Sequence, residues 1–297
     1  MSLPKLCLCS PAKVNHFLHI TGRRPDGYHL LQTCFQFLDY GDEITFELRD
    51  DNCIVLQPDN MAGIPNSQNL IYRVAKALQQ QSNALQGVTI TVNKRLPIGA
   101  GLGGGSSNAA TTLLALDLLW GLDWPVDDLL TLGLTFGADI PVFIQGHAAF
   151  AEGIGEQLTP IQLPLNWLAV ITPPCQVASA KMYADSELTR DTPTLRIEAL
   201  AKREFIDNFS GLRNDFEPLV RRRYPEVDDA MKWLSNFGEP RLSGSGASVF
   251  ACFKTEQAAK NVIEKLPTHL KGFVAKGVNK SPAAQAVDKV RVQLIRA

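Results

Sequence analysis

The chain has 297 residues, 45% of them hydrophobic and 20% charged, a length that suits two domains. Gly 22 and Pro 18 together make about 13% of it, an ordinary share that excludes collagen, low-complexity linkers and wholesale disorder. The formal charge is -1, without the basic excess of a protein that holds a phosphate backbone, so nucleic acid is not an expected partner.

The near-zero charge hides an asymmetry. Residues 254–297 hold nine Lys/Arg and three acids, a net +6, which leaves -7 on residues 1–253. A solvated basic helix face and tail accounts for this, and a field that holds anionic substrates near the protein is the alternative. Of the six cysteines, Cys7, Cys9, Cys34, Cys53 and Cys252 lie in apolar or strand-like stretches, and none forms C-x-x-C or zinc spacing, which suggests a reducing cytoplasm. No apolar segment of signal-peptide type opens the chain. Residues 96–116 are uncharged over 21 positions, but Pro97 and five glycines make them no spanning helix, and no membrane partner is expected.

In chain order, residues 5–9 and 14–20 read as strands separated by Ser10-Pro11, and 22–29 as a polar loop turning at Pro25-Asp26-Gly27. Strands follow at 30–38, 43–49 and 53–57, with Asp50-Asp51-Asn52 as a hairpin turn between the last two. A helix starts at Ser67, with Leu70, Ile71, Val74, Ala75 and Leu78 as one buried stripe. Residues 88–92 alternate as a half-buried strand, 109–120 suit a buried helix, and Pro125 opens a further helix to about Phe136. A domain boundary is expected near residue 157, giving domains 1–157 and 158–297. Behind it, strands are expected at 167–172, 247–253 and 272–278, and helices at 195–208, 225–236 and 255–266. Early strands followed by strand–helix–strand runs favour an α+β fold.

The densest signal is Pro97-Ile98-Gly99-Ala100-Gly101-Leu102-Gly103-Gly104-Gly105-Ser106-Ser107-Asn108, just before a helix. A tight turn needs one or two glycines, not five. Their density fits backbone N–H groups converging on an anion at a helix N-terminus. Ser106 and Ser107 offer hydroxyls to the anion or to a divalent metal. The stretch is no P-loop. It does match a dinucleotide fingerprint, but Pro97 and the lack of a following βαβ unit speak against an oxidoreductase. A second glycine-serine element at 243–248 reads either as a plain turn or as a second anion-facing loop across a cleft. It does not fit a nucleophile elbow.

Lys13, with Asn15 on the same strand face, and Asp139 in Gly137-Ala138-Asp139-Ile140-Pro141 are charges in apolar surroundings. Each reads as a structural ion pair or cap when taken alone. As a pair beside a phosphate loop they suit phosphoryl transfer. His29, next to Tyr28, is the histidine best placed for a ligand, while His16 and His19 read as strand residues. Arg221-Arg222-Arg223 reads as a solvated helix face.

Three motifs in order, PAKVNHFLHITGRRPDGYH, PIGAGLGGGSSNAA and RLSGSGASVF, closely resemble the GHMP kinase superfamily over nearly the whole chain. The resemblance implies a ribosomal-protein-like N-terminal domain and a ferredoxin-like C-terminal domain, with ATP in the cleft. It implies magnesium-dependent phosphoryl transfer, and RPDGYH with GADIPVF points to the 2-hydroxyl of a cytidine diphosphate-linked methylerythritol as acceptor, a step of non-mevalonate isoprenoid synthesis. Lys13 and Asp139 become the catalytic pair. Pro97, Gly99, Gly101, Leu102, Gly103, Gly104, Gly105, Ser106 and Ser107 would hold the ATP phosphates, and Asn69, Leu70 and Lys94 would surround the adenine. Asn15 would organise the acceptor, and Tyr28, His29 and, more loosely, Tyr183 would take its cytosine. Other GHMP kinase acceptors (homoserine, mevalonate, a sugar) and a non-catalytic nucleotide-binding module are the competing readings.

Overall fold

The computed structural model describes residues 5–196, 209 and 211–296. Among these, ten strands form one connected sheet with helices packed against it. Strand β1 (Leu6–Arg23) and strand β2 (His29–Arg49) form a long antiparallel hairpin. Each is continuous where the sequence pattern predicts two strands. Ser10-Pro11 does not end β1, because the ladder absorbs the missing proline N–H in a bulge between Pro11 and Lys13, with further shifts at Asn15/Leu18 and Ile20/Gly22.

One edge of β2 is taken by β1. Its other edge is shared by β5 (Ala149–Glu152) at Thr33–Phe35, by β10 (Lys271–Val278) at Phe37 and Leu38, and by β4 (Gly87–Asn93) along Glu43–Arg49. This arrangement corrects the expected hairpin at 50–52. Strand β3 (Ile54–Gln57) does not return onto β2 but lies parallel to β4 on its far side. The Asp51 carboxylate folds back onto the Arg49 guanidinium (2.6 and 2.7 Å) and the Cys53 N–H (3.1 Å), which turns the chain aside and leaves the β2 edge open for β4.

Helix α1 (Leu70–Ser82) buries the predicted stripe of Ile71, Val74, Ala75 and Leu78. It starts three residues later than predicted because the Asn69 carboxamide oxygen caps the Ile71 N–H at 3.0 Å. Helix α2 (Gly104–Leu119) begins inside the glycine run and is buried on nearly every side. Helices α3 (Val126–Leu134) and α4 (Ile140–Gln145) complete the first layer, whose core joins Phe37, Phe46, Ile90, Leu113, Leu116 and Phe143. β6 (Gln157–Pro160) pairs back onto β5.

The second half continues the same sheet through β10, β7 (Trp167–Thr172), β9 (Val249–Phe253) and β8 (Arg241–Leu242). Among the described residues of this half, the helices are α5 (Ser179–Ala184), α6 (Glu217–Arg223), α7 (Pro225–Leu234) and α8 (Glu256–Glu264). Apart from residues 195 and 196, which are not helical, the helix expected over 195–208 lies outside the described residues. Helix α9 (Pro282–Arg296), unforeseen as an element, crosses back to the first half. There Val287 joins the first core and Arg291 Nη2 reaches the buried Asp117 Oδ2 at 2.6 Å.

Under the seam, His16 stacks on Phe209 (centroids 4.4 Å apart), and its Nε2 lies 2.7 Å from Gln36 Oε1. Gln36 Nε2 donates to the Pro164 carbonyl at 3.0 Å, so Gln36 presents its oxygen to the ring and His16 donates from Nε2. Burial pulls the His16 pKa down to about 4, against the pull of the Gln36 hydrogen bond. The unfolded chain therefore binds a proton that the folded chain refuses below about pH 6.5. Stability is expected to fall by about 2 kcal/mol on this account between pH 7 and pH 5. Urea unfolding at the two pH values should show a flatter dependence for His16→Phe; an unchanged slope would remove the assignment.

Candidate active site

The outer edge of β1 is not left open. The Lys13 N–H donates to the Leu102 carbonyl (3.0 Å), which docks the glycine loop at the first bulge, and Leu18 exchanges backbone bonds with Arg213 and Asp215. A bulge next to a docked loop re-aims the strand's side chains. Here it sends Lys13 and Asn15 into a cavity of about 550 Å³ between the two halves.

The Lys13 side chain is 4% exposed, and its ammonium is fully supplied with acceptors. Asn15 Oδ1 lies at 2.7 Å, the Gly101 carbonyl at 3.2 Å and Asp139 Oδ2 at 3.4 Å. The Phe35 ring lies beneath it, 5.3 Å from centroid to Nζ. Asn15 is fixed in turn by donating to Thr33 Oγ1 at 2.8 Å. Asp139 stands at the start of helix α4 and is 38% exposed, so one face of its carboxylate meets the lysine and the other the cavity. The two charges read from the sequence as candidates are thus one ion pair at the cavity wall.

The glycine loop curls over this pair. Gly99, Gly101 and Gly103 all hold positive φ, and Gly103 is the N-cap of α2. The first intrahelical bond is Ser107 N–H to the Gly103 carbonyl at 2.8 Å, so the N–H groups of Gly104, Gly105 and Ser106 are left to the cavity. Gly101 has a second reason to be glycine. A Cβ there would lie 2.1 Å from the Ser243 carbonyl oxygen, because the 243–248 element packs directly on the loop. Ser243 Oγ donates to the Gly101 carbonyl (2.9 Å) and the Ser248 N–H to the Ala100 carbonyl (3.0 Å). The two glycine-serine elements are one interlocked unit, with Gly244 and Ser245 also at the cavity.

Of the residues singled out, Pro97, Gly99, Gly101 to Ser106, Asn69, Leu70, Lys94, Lys13, Asn15, Asp139 and Tyr183 line this cavity. Ser107 does not. Its side chain is fully buried and shares a hydrogen bond with Ser10 Oγ at 2.8 Å, because one helical step turns it away from Ser106 and into the core. Lys94 is ion-paired with the buried Asp42, whose other oxygen accepts the Arg95 and Leu96 N–H groups at 2.8 Å each. No sequence signal singles out Asp42, which lies between the strands expected at 30–38 and 43–49.

Tyr28 is 59% exposed at the end of the 24–28 turn, outside the cavity lining. His29 is 8% exposed and stacks on Tyr183 (centroids 4.8 Å, 27°), while Arg190 Nε donates to its Nε2 at 3.0 Å. Burial, then the Arg190 and Arg23 cations, hold the His29 pKa below its usual value, so the ring is neutral at pH 7. Burial pushes the Tyr183 phenol up, and the Asp139 charge adds to this. None of the nine basic residues of 254–297 lines the cavity. Lys260 pairs with Glu256 and Arg291 with Asp117, as a solvated face and a structural tie would. Arg221, Arg222 and Arg223 are ion-paired on helix α6.

Among the described residues no cluster of three or more His, Cys, Asp or Glu is placed to hold a metal by itself. Magnesium bound with polyphosphates commonly takes only one or two protein oxygens. The Asp139 carboxylate and the Ser106 hydroxyl at the same cavity fit that requirement.

The family profile for the GHMP kinases N terminal domain matches residues 69–147, and that for the GHMP kinases C terminal matches 196–272. A 4-diphosphocytidyl-2-C-methyl-D-erythritol kinase of Marinobacter nauticus is 51% identical, over 97% of this chain and 100% of the relative. The Pseudomonas syringae pv. syringae protein of the same name is 52% identical, over 94% and 96%. A crystal structure of 4-(cytidine 5'-diphospho)-2C-methyl-D-erythritol kinase superposes with a TM-score of 0.79 at 31% identity, over 92% of this chain and 99% of that one. A homoserine kinase structure from Cytophaga hutchinsonii shares the fold at TM-score 0.64 and 17% identity, over 95% and 97%.

The contrast between two loop glycines is testable. Gly99 has open space where a Cβ would go, whereas at Gly101 a Cβ meets backbone. Gly99→Ala is expected to cost about 1 kcal/mol, the strain of positive φ alone, and Gly101→Ala about 2 kcal/mol or more. Thermal or urea unfolding of the two variants measures the gap, and equal losses would show that the loops do not interlock.

Proposed function

The chain belongs to the GHMP kinase family, and on that premise we propose that it transfers the γ-phosphoryl group of ATP to the 2-hydroxyl of 4-diphosphocytidyl-2-C-methyl-D-erythritol. It is a kinase whose relatives of that name match at about half identity over nearly the full length. The observation that carries the reaction is the Lys13–Asp139 pair facing the free N–H groups of α2 across one cavity.

In this reading the helix N-terminus and glycine loop hold the ATP phosphates, and Asn69, Leu70 and Lys94 surround the base. The acceptor hydroxyl lies against Asp139 and Asn15. Its oxygen forms the new bond to the γ-phosphorus as the bond to the bridging oxygen of ADP breaks, and its proton passes to the Asp139 carboxylate. Lys13 keeps that carboxylate ionised and balances charge on the transferring group. Magnesium, when bound at Asp139 and Ser106, neutralises phosphate charge. No covalent enzyme intermediate is needed, because positioning and fixed dipoles supply the rate.

Tyr28, His29 and Tyr183 form the proposed cytosine end. Tyr28 has an exposed ring free to cover a base, next in sequence to the His29–Tyr183 stack. Residues 1–157 are proposed as the nucleotide-loop domain and 158–297 as the second, with β6 and α9 lent back to the first. A cytoplasmic location is part of the proposal; no helix among the described residues is long and apolar enough to cross a membrane.

ADP release, measured with the cytidylyl acceptor beside homoserine and mevalonate, tests the proposal. Turnover is expected with the first alone. Asp139→Ala should lower kcat by about 10²–10⁴ with ATP affinity retained, and near-normal turnover would remove Asp139 as proton acceptor. Tyr28→Ala should raise the acceptor KM by about tenfold, the worth of one base–aromatic stack, with the KM for ATP unchanged. An unaltered acceptor KM would end the stacking role.

A further inference from the structure

Arg190 lies outside the cavity lining, yet it reaches both members of the stacked pair at the acceptor end. Its Nη2 donates to the carbonyls of Tyr183 (2.9 Å) and Asp185 (2.7 Å), its Nη1 to that of Leu188 (3.0 Å), and its Nε to His29 Nε2 (3.0 Å). A guanidinium has five N–H donors and no lone pair. The nitrogen that meets Arg190 Nε must therefore be the unprotonated one. A neutral His29 then carries its proton on Nδ1. Nδ1 has no partner among the described residues.

We propose that Arg190 is a positioning residue for acceptor recognition, which fixes His29 as an Nδ1–H donor and ties the Tyr183 backbone to it. The site then selects a ligand that presents an acceptor at His29, such as the carbonyl oxygen or ring nitrogen of a pyrimidine. This rests on the proposed acceptor end.

Protonating His29 would break the contact, since Nε2 would then be a donor facing the Arg190 donor. The groups around the ring act together against that state. Arg190 faces it from the 185–196 segment, Arg23 is its register partner on β1, and Tyr183 covers its face with a phenol that stays neutral. Burial is the largest contribution and the two cations add to it. The same guanidinium thus sets which nitrogen holds the proton and opposes the gain of a second one.

Imidazole nitrogen-15 NMR of the full chain, with His29→Phe to assign the signal, reads the tautomer directly. The wild-type ring is expected to be neutral at pH 7 with its proton on Nδ1. In Arg190→Met the proton should move toward Nε2 and the titration should rise toward the ordinary histidine value. The acid limb of kcat/KM should then shift to higher pH. Arg190→Lys keeps the charge but loses the fork, so it should free the tautomer with a smaller change in titration, and it serves where the methionine variant does not fold. The acceptor KM should rise about tenfold in either variant with the KM for ATP unchanged, as expected for one lost polar contact.

A wild-type proton on Nε2, or the same tautomer and titration in the Arg190 variants, overturns the proposal. A moved tautomer with an unchanged acceptor KM in His29→Phe and Arg190→Met overturns the recognition role of His29 instead, and leaves Arg190 as a purely structural tie.

Discussion

A buried ammonium needs acceptors from the protein itself, and in this fold meeting that need organises the site. Lys13 is nearly inaccessible, and desolvating its charge without partners would cost several kcal/mol. The three acceptors come from three parts of the chain: Asn15 from the same strand, Gly101 from the glycine loop and Asp139 from the start of α4. Satisfying one cation therefore brings together the strand, the loop and the helix that the proposed chemistry requires. The tightness extends to Gly103, where a Cβ would lie 3.0 Å from the Lys13 stem and 2.9 Å from the Phe143 ring. Removing the lysine would leave Asp139 without its counter-charge and Asn15 without its donor, so activity and local structure are bound together there.

The second constraint is the interlock of the two glycine-serine elements. Gly101 and Ser243 meet backbone to backbone, and Asn214 Nδ2 holds the second element by donating to the carbonyls of Leu242 (2.9 Å) and Gly244 (2.7 Å). A small apolar cluster, with Leu102 of the loop against Val14, Leu168, Val170 and Phe250, lies beneath this junction. Parts of both halves are thus packed under one glycine loop. With β10 hydrogen-bonded to β2 on one side and β7 on the other, the halves share a continuous sheet. The cleft has a rigid floor, a suitable arrangement where rate depends on geometry held in advance.

Much of this was legible in the chain because its signals are local. The glycine density, the Lys13–Asn15 alternation and the α1 stripe each report a short-range requirement, and a lone Asp139 among apolar residues demands a partner by itself. What stayed hidden is non-local. Nothing near Asp42 announces that its carboxylate will meet Lys94 and two amides some fifty residues on. The parallel placement of β3 depends on β4 arriving later to claim the edge. Ser107 was misassigned for a subtler reason. Gly104 and Gly105 are poor helix formers, so propensity hides the first turn of α2, and without that turn the opposite facing of Ser106 and Ser107 is not apparent. The crossing of α9 to Asp117 likewise has no local sign.

The electrostatics explain how a chain with almost no net charge handles highly charged ligands. Lys94, a cation at the cavity, is already matched by buried Asp42, and Lys13 by Asp139. Neither pair leaves a free positive charge, and the basic segment 254–297 contributes none to the cavity. Among the described residues, the remaining attraction for an anion comes from the unpaired N–H groups at the start of α2, which are directional and short in range. A field of free lysines would draw any polyanion, nucleic acid included, and would weaken steeply with salt. Fixed amide dipoles favour a phosphate only when it is seated at the loop. In the proposed reaction, affinity is therefore tied to the pose in which the γ-phosphorus lies beside Asp139, which links binding of the nucleotide to alignment for transfer.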